Sequence, residues 1–301
     1  MSSLSFPLVA FSVGVAISCV QAAEPFFKPA DVVALVGGED MVAAAECGEL
    51  ELRVVSAWPN YRIKFRSLAW EGDTVFEQAR QLNYPMIEQQ LDEMGATVVI
   101  AQFGQMESLA GPSKLADFAR AYEKLIERFS RGGKRRVVLL EPTPIRHGSS
   151  SALRFASIER YADVIRGIAE RHALRLLRPD EGLVLNASSY RDDIHLNERG
   201  QQILATRLAL TLGGSQPAIG PTTAEESRLL ETIRDKNRLW FHYVRPQNWA
   251  FLNGDRTVQP SSRDHLDPSK RWFPEEMKQW LPLIESREEE IWKLVRKPGS
   301  N

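Results

Sequence analysis

Five short strand-like runs, separated by longer stretches with apolar side chains at helical intervals, constrain this chain more than any other feature of its sequence. The runs cover residues 31–36, 63–68, 97–103, 137–140 and 174–177. The first and third are almost continuously apolar, as strands buried on both faces of a parallel sheet are. Between them, 39–57, a stretch after Thr74, 113–129, 157–172 and the residues after Asn197 read as helices. In 113–129, Leu115, Phe118, Ala119, Tyr122, Leu125, Ile126 and Phe129 recur at helical spacing. Regular alternation of strand and helix predicts an α/β fold, a three-layer α/β/α sandwich around a parallel, flavodoxin-like five-stranded sheet. Functional loops of such sheets gather at the carboxyl ends of the strands. Here those ends lie near Gly37, Trp70, Gly104 and Glu141.

The two ends of the chain depart from this pattern. Residues 6–20 are almost all apolar or small, and no charged side chain precedes Glu24. With Val20 and Ala22 as a small-x-small cleavage pattern, 1–23 is expected to be a signal peptide and the protein to be exported, periplasmic or secreted. The apolar run is short for a span and lacks a preceding Lys or Arg, so a retained N-terminal membrane anchor is the alternative. Residues 24–212 are expected to form the main domain and 213–221 (GGSQPAIGP) a linker. Residues 222–301 are expected to be a C-terminal helical extension, with helices at 225–243 and 274–295. Four of the seven tryptophans, Trp240, Trp249, Trp272 and Trp280, fall between 240 and 280, and such an aromatic set most simply buries itself against the main domain.

A net charge of -1 gives no electrostatic case for nucleic acid, and the basic run 131–136 reads as a solvated turn. Cys19 would leave with the signal, so Cys47 has no internal disulfide partner and reads as a small buried thiol. No Cys/His spacing suits zinc or haem, so no metal or cofactor is expected.

The chemistry concentrates in Asp192-Asp-Ile-His195-Leu-Asn197. An acid three residues before a histidine, on a loop entering a helix capped by Asn197, can fix the imidazole tautomer while the other ring nitrogen faces a cleft. An acidic set, Glu39, Asp40, Glu71, Asp73, Glu107 and Asp192, would offer oxygen ligands to a divalent ion if it converged. Otherwise these are solvated loop residues.

The order strand-GG, strand-WEGDTV, strand-FGQMES and DDIHLNERG resembles the SGNH (GDSL-type) esterase and acylhydrolase superfamily. It is most similar to exported SGNH-like proteins of planctomycete-type bacteria, whose blocks end in a segment like Lys236–Asn248, KNRLWFHYVRPQN. The resemblance implies that Gly72 is an oxyanion donor and that Asp192 and His195 are the acid and base. It also exposes two departures. Glu39, in Gly37-Gly38-Glu39-Asp40, stands where the superfamily has its serine, and no Ser, Thr or Cys occurs between Gly37 and Cys47. Met106 stands where it has its asparagine, leaving Gln105 beside it as the substitute donor. Glu39 could then attack directly, act as general base on water, or hold a cation. Thr74 reads as a helix cap and Ser108 as a cleft residue, while Gly38, Asp40, Glu107 and Asn248 are further cleft candidates.

Two functions remain open on this reading. One is hydrolysis of a small-molecule or polysaccharide ester, such as a carbohydrate O-acyl group. The other is an inactive SGNH fold that binds carbohydrate or protein.

Overall fold

The computed structural model of the chain describes residues 26–145, 152–179, 185–214 and 223–296. The expected signal peptide, and the expected linker from 215 onward, lie outside them. The elements in order are β1 (Val32–Gly37), α1 (Glu39–Cys47), α2 (Glu49–Ala57), β2 (Lys64–Ser67), α3 (Ile87–Glu93), β3 (Val98–Gln102), α4 (Gln105–Ser108), α5 (Leu115–Ser130) and β4 (Arg136–Leu140). They continue with α6 (Ala152–Arg171), β5 (Arg175–Leu177), α7 (Glu198–Thr211), α8 (Ala224–Val244), α9 (Trp249–Leu252), α10 (Trp272–Lys278) and α11 (Trp280–Val295).

All five strands are parallel, in the order β2-β1-β3-β4-β5, which is the doubly wound arrangement expected. Side-chain alternation along each strand feeds two cores. Val33, Leu35, Val98, Ile100, Val138 and Leu140 face Met41, Leu50, Val54, Leu204 and Leu208 of α1, α2 and α7. Ala34, Val36, Val99, Ala101, Val137 and Leu139 face Leu91, Phe118, Tyr122, Leu125, Tyr161 and Ile165 of α3, α5 and α6.

The C-terminal helices close the sheet's exposed side. β2 is an edge strand, and in a ladder alternate residues direct their backbone groups away from the neighbour. Ile63, Phe65 and Ser67 are those residues, because Lys64 and Leu68 donate to Asp31 and Leu35 of the β1 side. Their carbonyls accept from Trp292 Nε1 at 3.4 Å, Lys236 Nζ at 3.1 Å and Trp240 Nε1 at 2.8 Å. Lys236 is fully buried and paired with Glu51 at 2.8 Å. Leu229, Leu230, Ile233, Ile291 and Trp292 pack with Leu52 and Val55 of α2. Trp272 stays largely exposed, so the tryptophans do not all serve this packing.

Three segments differ from the sequence reading. The helix expected over 39–57 is two helices, broken at Gly48, which adopts φ 76° and caps the first. A Cβ there would meet Ile233 at 3.1 Å and Leu230 at 3.3 Å, so α8 packs into the break. Cys47 beside it is only half-buried, and its carbonyl accepts from Arg234. Thr74 caps no helix; its hydroxyl accepts from the Glu77 N–H in a turn, and α3 starts at Ile87. The helix expected over 274–295 divides at Gln279, because Pro282 cannot donate to the Lys278 carbonyl and its ring crowds it.

Candidate active site

β1 ends at Gly37, with φ 146°, where the backbone passes so close to β3 that a Cβ would lie 2.2 Å from the Gln102 carbonyl oxygen. Only glycine fits both constraints. The next residue, Gly38, packs on the second turn, a Cβ there lying 3.3 Å from the Asp73 carbonyl. The Trp70 N–H donates to Gly37 O at 3.1 Å. The third turn is tied in by Glu107, whose buried carboxylate accepts from the N–H groups of Val75 and Gly104, both at 2.7 Å. The last loop is held by the Tyr190–Leu196 bridge and by Tyr190 Oη, which donates to Pro144 O at 2.7 Å beyond β4. Asn197 caps α7 as expected, accepting from Gly200 N at 3.0 Å.

These ties bring His195 to the start of α1. Its Nδ1 lies 2.7 Å from Asp192 Oδ2, and its Nε2 lies 2.8 Å from Glu39 Oε1. Asp192 Oδ1 accepts from the N–H groups of Ile194 and His195 at 2.9 and 2.8 Å. Burial opposes the charged imidazole, but the bonds to Asp192 and Glu39 outweigh it and raise its pKa above the ordinary histidine value. The bond to His195 first, and the two N–H groups after it, hold the Asp192 carboxyl well below the usual carboxylate range. The arrangement therefore favours the charged imidazole, held between Asp192 and Glu39.

Asp40 lies behind this pair. Burial pushes its carboxyl up to about 6, against hydrogen bonds from Thr143, the nearby His195 charge and a weaker interaction with the Gln105 side chain. Its Oδ2 and Gln105 Nε2 are buried atoms without a hydrogen-bond partner among the described residues. Both residues line a small hollow of about 20 Å³ with Gly38, Glu39, Gly104 and Met106. Gly72 is exposed on the second turn, and its N–H makes no hydrogen bond among the described residues.

Asp73 and Glu107 also line the hollow, but neither they nor Glu71 joins the carboxylates at His195. Asp73 forms a two-pronged pair with Arg80 at 2.7 and 2.9 Å. Glu71 pairs with Arg245, which lies over the Trp70 ring at 4.3 Å and donates to Ala69 O. Glu107 holds backbone. Asn248 is exposed at the start of α9, with nothing tying it to the hollow. Among the described residues no three such side chains are arranged for a metal ion. Sequence alone points to neither Thr143 nor Tyr190 as a site residue, although Glu141 marks a strand end two residues before Thr143. A larger cavity, about 780 Å³, lies between α1, the end of β2 and α8, and neither Glu39 nor His195 lines it. The hollow is the better candidate because Asp40 and Glu39, the partner of His195, line it.

Residues 43–203, just over half of the chain, match the GDSL-like lipase/acylhydrolase family. The chain belongs to this family. No curated protein matches it. Among solved structures, a gut microbial diltiazem-metabolizing enzyme (BT4096) is similar at 11% identity, TM-score 0.60, over 91% of this chain and 97% of that one. Such coverage takes in the C-terminal helices as well as the sandwich. The α/β hydrolase LAE5 from the metagenome of Lake Arreo is similar at 18% identity, TM-score 0.50, over 62% of this chain and 97% of that one. The acetyl xylan esterase Axe2 from Geobacillus stearothermophilus is similar at 13% identity, TM-score 0.48, over 64% and 99%. At these identities the likeness is one of fold. Within the GDSL-like family match, Asp192 and His195 fall inside the matched span, whereas Glu39 precedes it.

Proposed function

We propose that this member of the GDSL-like family is an exported ester hydrolase in which water replaces the serine nucleophile. The observation that carries the reading is the contact between Glu39 and His195 Nε2, the nitrogen that would otherwise activate a serine hydroxyl. A carboxylate is already ionised at neutral pH and needs no base to activate it. Its useful role is to take a proton from water. Water attacks the ester carbonyl and gives a proton to Glu39, and the carbonyl π pair moves onto oxygen. The Gly72 N–H and the Gln105 amide face that oxyanion. As the intermediate collapses, protonated His195 gives its Nε2 proton to the leaving alkoxide, and the Glu39 proton returns to His195. Asp192 keeps the ring oriented throughout. Carbohydrate O-acyl esters are the substrate class we favour, within a main domain over 24–212 and with the close relatives being exported planctomycete-type proteins.

A non-catalytic binding module is the second reading, favoured by the engagement of both ring nitrogens and by Met106 in place of an amide donor. Turnover of p-nitrophenyl acetate and acetyl-xylan by the mature chain, beside His195→Ala, separates the two. Hydrolysis is expected to fall at least 100-fold in the variant, the loss of a general acid–base group. Equal rates would leave the binding module.

A further inference from the structure

We propose that Asp40 and Gln105 hold the attacking water, an inference that rests on the hydrolytic reading above. Asp40 Oδ2 is a buried acceptor and Gln105 Nε2 a buried donor, and neither makes a well-formed hydrogen bond among the described residues, although the two side chains lie near enough to interact. Buried polar atoms are ordinarily paired, since an unpaired one has lost its bonds to water without replacement. The two line the same hollow, and Glu39 lines it with them. Size decides the occupant. A hollow of about 20 Å³ exceeds the roughly 10–15 Å³ that one water needs and is far too small for an acyl group. One donor, one acceptor and a second carboxylate are a complement that water satisfies and a methyl group does not.

The chemistry follows from the hydrogen-bond directions. Asp40 Oδ2 accepts one O–H of the water, and one Gln105 N–H donates to a lone pair. The second O–H faces Glu39, and the remaining lone pair forms the new bond to the carbonyl carbon as Glu39 takes the proton. The other Gln105 N–H is left for the oxyanion. Thr143, Gln105, His195 and Tyr190 act on Asp40, and the other acids lining the hollow are Glu39, Asp73, which is paired with Arg80, and Glu107, which accepts from backbone N–H groups. Because burial shifts Asp40 to about 6, it is ionised above that pH and can accept from the water. Below it, Asp40 becomes a donor itself and turns the water around.

The test is a crystal structure of the mature chain near pH 7.5, together with pH–rate profiles of the wild type, His195→Ala, Asp40→Asn and Gln105→Met. A single water bonded to both Asp40 Oδ2 and Gln105 Nε2 is expected. Asp40→Asn should lower kcat about 10- to 100-fold with little change in KM, and should remove the acid limb near pH 6. Gln105→Met should lower kcat while keeping that limb. A dry hollow, or Asp40 bonded directly to Gln105, overturns the proposal whatever the turnover. So does Asp40→Asn with wild-type kcat and an unchanged profile. If the water is present but wild type and His195→Ala have equal rates, the hydrolytic reading itself has failed and the attack role with it.

Discussion

His195, Asp192 and Asp40 respond to pH in opposite senses. The raised His195 contributes stability that is full below about pH 6.5 and disappears as pH rises through its higher folded value. The lowered Asp192 contributes stability present above about pH 3.9 and lost only in stronger acid. Asp40 does the reverse. An acid raised to about 6 in the fold destabilises it progressively between about pH 4 and 6, and fully above. Asp40→Asn is therefore expected to stabilise the protein at pH 8 by about 1–3 kcal/mol and to leave it unchanged at pH 4. Urea unfolding at both values measures this, and equal destabilisation at both would contradict it. At this scale the sequence yielded His195, Asp192 and Glu39, because a spacing and a missing serine are visible in a string. It could not rank Asp40 above Glu107 or Asp73. Those acids differ only in what surrounds them: two N–H groups for Glu107, a guanidinium for Asp73, and no well-formed hydrogen bond to Asp40 Oδ2 among the described residues.

Among the elements, the β1–α1 turn and the β2 edge are the places where substitution should cost most. Gly37→Ala would combine a positive φ with a Cβ 2.2 Å from a backbone oxygen, a loss of about 3 kcal/mol or more. Thermal unfolding with a native-like midpoint would contradict that. Lys236→Met leaves Glu51 buried without its partner, at about 3–5 kcal/mol. The double variant Lys236→Met/Glu51→Leu is expected to recover much of that loss. A double variant as unstable as the sum of both singles would show that the pair is not coupled. The strands were legible because their apolar runs have no other use. The break at Gly48 was not, since a glycine inside a helical pattern becomes a break only when another helix, here α8, packs into it, whereas Pro282 was the visible signal for the one at Gln279.

For the molecule as a whole, the C-terminal helices seal a sheet edge. Three side chains from α8 and α11 take the outward carbonyls of β2, which water or another chain would otherwise occupy. A chain ending at residue 214 is expected to lose its cooperative melting transition and to aggregate. An unchanged transition by circular dichroism would contradict this. The sheet order and both helical layers were readable from alternation, whereas the edge seal was not, because it depends on which strand ends up outermost. The proposed hydrolysis requires Glu39 to occupy the place of a nucleophile against His195, and Glu39→Ser tests it most directly. With p-nitrophenyl acetate, the variant is expected to release a stoichiometric burst of p-nitrophenol that the wild type lacks, as a serine acyl-enzyme forms. A folded Glu39→Ser variant with no burst and no acyl adduct by mass spectrometry would contradict it.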